Sequence, residues 1–378
     1  MKRIVIIQRR LTHYRVPLFQ ALREALAERG LQLDLLVGQG TRAEEKKKDG
    51  AELPWARVLS THYLAGGRLC WQPAPRDLRR ADLVIVTQEN KLLHNHLLML
   101  MPRHFKLAFW GHGGNLQSDH PHGLRERFKR WTTNRVDWWF AYTDLSAALV
   151  RAAGFPANRI TVLNNAVDTA GMHRQRQSVT PAETRALRES LGFGTGPVGV
   201  FVGSLYADKR LDFLFAAAEA IRRAVPGFHL LIVGEGAQRD QVQAWCAANP
   251  WARWVGARFG REKVAYVSVA DVMLNPAALG LGVMDAFVCQ APMITTDGNN
   301  HGPEIAYLEN GVNGVITNND QAAYVAASVA LLRNTQHLAT LRAGCSASAR
   351  KYTVENMACR FADGIEACLE SSDGRGVR

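Results

Sequence analysis

Four short apolar runs in the second half of the chain end in residues suited to an anionic, hydroxyl-bearing ligand. The run "VGVFV" leads to Gly203 and Ser204, with Lys209 at the start of the helix that follows. Glycine lets a bulky ligand approach the backbone, and an ammonium at a helix start is poorly placed for the helix dipole, which a bound anion would offset. A solvated lysine is the plain alternative. "LIVGEG" ends in Gly234, Glu235 and Gly236, a Gly-x-Gly that by itself is often only a turn. "WARWVGARFGREK" ends its run at Gly256, with Arg258 and Arg261 beyond. The most specific segment is "LNPAALGLGVMDAFVCQAPMITTD". There Pro276 closes a strand, Gly280 and Gly282 relax the turn, and the free amides of a helix start suit a phosphate. Asp285, in the first turn of that helix, either complements the dipole or accepts hydrogen bonds from neighbouring hydroxyls of a ribose.

These residues sit at strand ends because short apolar strands alternate with amphipathic helices along the whole chain. "RIVIIQ", "LQLDLLVG", "ADLVIVTQ", "FKLAFWG" and "VDWWFAYT" are separated by helical stretches, and continuous apolar strands between helices indicate a parallel sheet covered on both faces. Ligands of such doubly wound α/β domains bind beyond the C-terminal ends of the strands. The pattern weakens after "RITVLNNAVD" and restarts at "VGVFVGS". The expected layout is therefore a first domain over residues 1–172, a linker and lead-in helix over 173–195, and a second domain over 196–352. A closing helix over about residues 353–370 is expected to return to the first domain, with a frayed tail after it.

Composition bounds the function. The chain has 378 residues, 46 Lys+Arg against 34 Asp+Glu, and a net charge of +12. Residues 1–190 hold 30 basic and 17 acidic side chains and the remainder 16 and 17, so the excess is local. The length exceeds what one core usually supports, and 47% apolar with 21% charged residues excludes a disordered chain. No apolar run approaches the roughly 18 residues of a membrane-spanning helix, and Ile4 to Ile7 followed by Gln8, Arg9 and Arg10 is no secretory signal. Six scattered cysteines without a Cys-x-x-Cys point to a reducing cytosol and no structural metal. The basic balance comes without a helix-turn-helix, zinc finger or aromatic RNA-binding signature, so nucleic acid is not the expected partner. In "HGLRERFKRWTTNRVDWW", Arg125, Arg127, Lys129, Arg130 and Arg135 lie beside Phe128 and Trp131. That segment is either a helix packed through its aromatics or a surface resting on anionic lipid, with Trp138 and Trp139 belonging to the next strand. The run "TRAEEKKKDGAELPW", with Lys46, Lys47 and Lys48, reads as a solvated loop or as one that orders over substrate.

In their order and spacing, "VGSLYADKR", "VGEG" and "NPAALGLGVMDAFVCQAPMI" resemble the second domain of the retaining glycosyltransferases of family 4, which have the GT-B fold. "HGPEIAYLENGVNGVI" extends the likeness, and "RLTHYRVPLF", "FWGHGGN", "WWFAYTD" and "RITVLNNAVD" are similar to first-domain segments of a bacterial subgroup. That subgroup carries Gly-Leu in place of the first glutamate of Glu-x7-Glu. The resemblance covers about residues 1–365. It implies two facing Rossmann-like domains with a cleft between them, the first for the acceptor and the second for a nucleotide-sugar. It makes Lys209 a ligand of the donor diphosphate, places Gly280, Leu281, Gly282 and Val283 beneath that group, and gives Asp285 the donor ribose. Gly203, Ser204, Arg210, Gly234 and Arg258 join the donor-binding set, with Glu235 and Gly236 near the base. His112 matches a histidine that faces the transferred sugar, beside Tyr14, Arg15, Gly113 and Asn115 on the acceptor side. The implied catalytic set is His112, Lys209 and Asp285.

Two positions depart from that pattern. Ser204 stands where the family has a diphosphate-binding arginine, and Ala277 where it has the first glutamate. Losing the arginine removes a bidentate phosphate contact, for which Arg210, Arg258 or a first-domain residue is expected to compensate. Losing the glutamate bears on donor-sugar recognition more than on the reaction class. The implied activity is retaining, metal-independent hexosyl transfer, with no cofactor, from a nucleotide-sugar to a glycan or lipid-linked acceptor. Front-side attack and domain closure are expected with it. The setting would be bacterial cell-surface polysaccharide or lipopolysaccharide assembly, in the cytoplasm or at the inner face of the cytoplasmic membrane, with peripheral contact to anionic lipid. A nucleotide-sugar epimerase or phosphorylase shares the architecture, and Ser204 and Ala277 also allow a pseudo-enzyme that binds nucleotide-sugar without turnover.

Overall fold

The computed structural model describes residues 1–45, 49–73, 76–114, 124–298 and 301–371. Lys46 to Lys48, Asn115 and the tail from residue 372 lie outside them, as do the side chains of Arg125, Lys129 and Arg130. The chain divides into two units, Met1–Val167 with Val354–Arg378, and Asp168–Thr353.

The first unit holds strands β1 (Lys2–Gln8), β2 (Leu31–Val37), β3 (Arg57–Val58), β4 (His62–Leu64), β5 (Leu69–Trp71), β6 (Leu83–Thr87), β7 (Lys106–Gly111), β8 (Trp138–Ala141) and β9 (Ile160–Val162). Its helices before the crossover are α1 (Val16–Glu28), α2 (Arg42–Glu45), α3 (Leu93–Leu100), α4 (Leu124–Thr133) and α5 (Asp144–Ala152). Seven strands form one parallel sheet in the order β3-β2-β1-β6-β7-β8-β9, while β4 and β5 pair as a separate antiparallel hairpin. The order reverses between β1 and β6, which opens a crevice at the strand ends.

The second unit begins with α6 (Thr169–Gln177) and α7 (Pro181–Ser190). It continues with β10 (Val198–Val202), α8 (Leu211–Ala224), β11 (His229–Val233), α9 (Arg239–Ala248), β12 (Ala252–Trp254), α10 (Gly260–Ser268), β13 (Val272–Leu274), α11 (Val283–Cys289), β14 (Met293–Thr296), β15 (Gly314–Thr317), α12 (Gln321–Arg333) and α13 (Thr335–Lys351). Its six parallel strands run β12-β11-β10-β13-β14-β15, so the reversal falls between β10 and β13. Loops after those two strands therefore share the crevice.

The segment 173–195, read from its polarity as a linker, is built into the second unit. Asp168 caps α6 through the Gly171 amide at 2.7 Å and Thr180 caps α7 through the Glu183 amide at 3.1 Å. Arg188 then donates to the carbonyls of Val269, Gly194 and Gly196, and Arg261 grips Glu183 with two 2.7 Å bonds. Polarity marked solvent exposure of one helix face, not freedom of the chain.

The closing helix α14 (Val354–Glu370) lies in the first unit. Its Val354, Met357, Phe361, Ile365 and Cys368 share a core with Leu18, Leu22 and Leu26 of α1 and the inner face of the sheet. Gly364 allows that approach, because a Cβ there would overlap Thr161 Oγ1 and lie 2.8 Å from the Phe140 ring. Trp138 and Trp139 are buried core residues of β8, whereas Phe128 and Trp131 of α4 are about 40% exposed and face outward. The six cysteines are free thiols; Cys289 is buried, and burial pushes its thiol up to about 12.

Candidate functional site

In the second unit the strand ends at the reversal bring most of the expected donor residues together. The loop after β10 lies directly against the loop after β11: Leu205 N donates to Glu235 O at 2.9 Å and Gln238 N to Leu205 O at 2.9 Å. Gly234 and Gly236 are required by this approach, since a Cβ on either would overlap the carbonyl of Gly203 or Leu205. Gly234 N also donates to Gly256 O at 2.9 Å, and Trp254 Nε1 donates to Gly234 O at 2.9 Å. Gly203, Ser204, Gly234, Glu235, Gly236 and the start of the Arg258 segment thus form one continuous floor.

The loop from Pro276 to Gly282 is fixed at its backbone from several sides. Lys209 Nζ donates to Ala278 O at 3.3 Å. Arg210 Nη1 reaches Pro276 O at 2.8 Å, Asn319 Oδ1 at 2.7 Å and Thr296 Oγ1 at 3.3 Å, and its guanidinium lies over the Phe213 ring. Arg210, expected on the diphosphate, is thereby drawn to the ends of β13, β14 and β15; its backbone is left-handed, at φ 52°. Leu279 N donates to His301 Nδ1 at 3.0 Å, and Gly302 N donates to Leu279 O at 2.7 Å. At its glycines the loop is open: a Cβ on Gly280 or on Gly282 would have no neighbour within 4 Å among the described residues. Packing accounts for Gly234 and Gly236 but not for Gly280 and Gly282.

Asp285 is buried in the first turn of α11, and its Oδ1 pairs with Lys263 Nζ of α10 at 2.6 Å. Lys263 escapes a sequence reading because the helical spacing that packs α10 on α11 is set by its apolar neighbours Val264, Ala265 and Val267. Arg258 lies 3.3 Å from Glu262 and over the Tyr266 ring, on its own helix and loop. Arg261 belongs to the Glu183 and Ser178 contacts. His301 is the other residue missed, since a loop histidine carries no spacing signal.

In the first unit, strand-end residues assemble a second group. His112 is exposed, its ring 4.6 Å from that of Tyr142. Arg15 is buried, with Nη1 on Asn165 Oδ1 at 2.7 Å and its guanidinium 4.9 Å from the Trp110 ring, 5.2 Å from Tyr14 and 5.4 Å from Tyr142. Gly113 has φ 75°, and a Cβ there would lie 2.6 Å from Ser146 O. Tyr14, Arg15, His112 and Gly113 thus lie at one end of the sheet with Tyr142 and Asn165, whose place could be inferred only as polar ends of apolar strands. Nearby, Arg10, Gly38, Gln39, Glu44 and Glu52 line a cavity of about 440 Å³. The hydrogen bonds of Arg9 hold the Glu44 carboxyl down to about 2. Among the described residues no three His, Cys, Asp or Glu side chains converge as a metal site would need.

Residues 18–170 match the family model described as Glycosyltransferase Family 4, and residues 196–334 the model described as Glycosyl transferases group 1. The chain is similar to EpsD of Bacillus subtilis (strain 168), 27% identical over 202 residues that make up 50% of this chain and 51% of that one. It is likewise similar to the 2-deoxystreptamine glucosyltransferase of Streptomyces kanamyceticus, 29% identical over 181 residues, 46% of each chain. The chain therefore spans about half the length of the curated relatives it matches. Among solved structures, Anabaena Alr3699/HepE in complex with UDP aligns with a TM-score of 0.69 at 16% identity, over 97% of this chain and 100% of that one. The apo form of the lipopolysaccharide outer core galactosyltransferase WaaB aligns with a TM-score of 0.66 at 15% identity, over 97% and 99%.

Proposed function

We propose that this chain, whose two units are glycosyltransferase family domains in the GT-B fold, moves a hexosyl group from a nucleotide-sugar to a glycan or lipid-linked acceptor with retention of configuration. The observation that carries this reading is the Pro276–Gly282 loop: its backbone is held by Lys209, Arg210 and His301, and it is open at its two glycines. A diphosphate seated on that open face would meet backbone amides and the Lys209 ammonium. Leaving-group charge would be met there by groups already in place, which is where such stabilisation is most effective. The carboxylate of Asp285 would accept from the donor ribose through the oxygen that Lys263 leaves, and the ion pair would hold it in position. With Ser204 in place of an arginine, Lys209 would be the principal side-chain cation on the diphosphate, and no metal ion is invoked. His112, beside Tyr142, would serve the acceptor side in the first unit.

We place this activity in surface-glycan assembly; WaaB, which is similar in fold, is a lipopolysaccharide outer core galactosyltransferase. The first unit offers a surface for such a setting, at the cytoplasmic face of a membrane. Phe128 and Trp131 stack outward at 5.8 Å, Arg135 lies 4.6 Å over Trp131, and His96 brings the exposed Leu97, Leu100 and Met101 of the α3 end alongside. Apolar rings among basic residues suit the interface of an anionic bilayer. No helix among the described residues is long and apolar enough to cross a membrane. Equal flotation with anionic and zwitterionic vesicles would remove the lipid proposal.

Incubation with a panel of nucleotide-sugars, with and without glycan acceptors, tests the activity. A glycoside product whose anomeric configuration matches the donor is expected. Conversion of a nucleotide-sugar without acceptor would identify an epimerase instead, and binding without turnover a pseudo-enzyme.

A further inference from the structure

We propose that His301 is a positioning residue that holds the diphosphate loop in its binding geometry only while its imidazole is neutral. The inference deepens the donor site proposed above and rests on that reading. Two contacts define the tautomer. Leu279 N donates to Nδ1 at 3.0 Å, so Nδ1 carries a lone pair. Nε2 lies 2.9 Å from the Thr296 carbonyl, which can only accept, so Nε2 carries the proton. The ring therefore bridges the end of β14 to the middle of the loop between Pro276 and Gly282. Gly302, the next residue, completes the clamp through its amide on Leu279 O at 2.7 Å. A Cβ at Gly302 would lie 3.0 Å from that same oxygen and 3.5 Å from Gly280 Cα, so the two backbones run in direct contact.

Protonating the ring puts a hydrogen on Nδ1, facing the Leu279 amide hydrogen, and converts an attraction into a repulsion. His301 is buried, at 9% exposure, and cannot turn this hydrogen to water without moving the loop. Burial is also the leading cause that lowers its pKa from the usual histidine value, opposed by the Thr296 carbonyl and by Asp297. The charged groups around the clamp are Asp297 and Glu304 on its own segment and Lys209 and Arg210, which reach the same loop from the β10 side. A sugar-linked diphosphate has no group that titrates where histidine does, so the ligand contributes no proton uptake of its own.

The test is calorimetric titration of the full chain with UDP-glucose and GDP-mannose, using whichever binds, between about pH 7.5 and about pH 5.5. Circular dichroism at each pH establishes that the protein is folded. The expected Kd for wild type rises about two- to fivefold across that range, mostly at its acid end because burial lowers the pKa of the ring. His301→Asn, whose amide oxygen still accepts from Leu279 N and cannot be protonated, should bind within about threefold of wild type at neutral pH and lose the dependence. His301→Gln serves as the second non-titrating variant if Asn does not fold. A wild-type Kd that does not move with pH overturns the proposal, as does a variant that keeps the wild-type slope. Absence of binding by either nucleotide-sugar at neutral pH would strike the donor-site reading itself rather than the role of His301.

Discussion

Lys263 Nζ and Asp285 Oδ1 lie 2.6 Å apart, joining α10 to the first turn of α11 where both side chains are largely withdrawn from solvent. A carboxylate in that position needs a partner, because an unpaired buried charge is costly. Lys263→Met should therefore destabilise the protein by roughly 1–3 kcal/mol, less than a fully buried pair would lose since the lysine is partly exposed. Lys263→Met combined with Asp285→Asn should recover much of that stability while donor binding stays weak. Chemical denaturation and donor titration on the same three proteins check both halves, and full donor affinity in the double variant would remove Asp285 from the site.

Lys209→Ala should lower transfer and donor affinity together, by about 10- to 100-fold, the value of one charge-assisted contact to phosphate. Steady-state kinetics with the donor varied decides this. Unchanged turnover would remove Lys209 from the reaction.

Gly364→Ala should destabilise the first unit by about 1–3 kcal/mol, because the added methyl meets Thr161 and the Phe140 ring with no room to move. Urea unfolding would show it as a lower midpoint at unchanged slope. An unaltered midpoint would mean that α14 does not depend on this close approach.

His94 is buried in α3 with its ring edge-on to Trp71, and burial alone lowers its pKa to about 4. Its two ring nitrogens have no hydrogen-bond partner among the described residues. A histidine lowered on folding costs stability as pH falls from its unfolded value toward its folded one, because the unfolded chain takes up the proton first. Wild type should thus lose on the order of 3 kcal/mol between about pH 6.5 and about pH 4 from this group. Thermal melts of His94→Leu against wild type across that range should diverge in favour of the variant. Parallel curves would contradict it.

Alternating apolar strands and helices announced both parallel sheets, and the glycines after "LNP" announced the loop that carries the proposed donor site. Other features were not legible for physical reasons. Residues 173–195 look like a linker because α6 and α7 expose polar faces, yet Arg188 and Arg261 build them into the second unit. Gly234 and Gly280 both read as glycines at strand ends, but the first is demanded by a neighbouring backbone and the second by nothing among the described residues. Lys263 and His301 act through contacts with residues about twenty positions away, at 2.6 Å from Asp285 and 3.0 Å from Leu279, which no local pattern encodes. Arg210 looked available to a phosphate until the ends of β13 to β15 claimed its guanidinium.

Gly282 tests the donor site most directly. Its backbone is right-handed helical, at φ −59° and ψ −17°, and a Cβ there would meet no atom within 4 Å among the described residues. Gly282→Ala should leave the fold as stable as wild type or up to about 1 kcal/mol more stable, by restricting the unfolded chain. The decisive measurement is thermal unfolding of both proteins with and without a panel of nucleotide-sugars. The expected result is a ligand-induced rise in Tm for wild type that is lost in Gly282→Ala, with the unliganded variant melting at or slightly above unliganded wild type. An equal ligand-induced rise in both proteins would contradict a diphosphate seated on this loop.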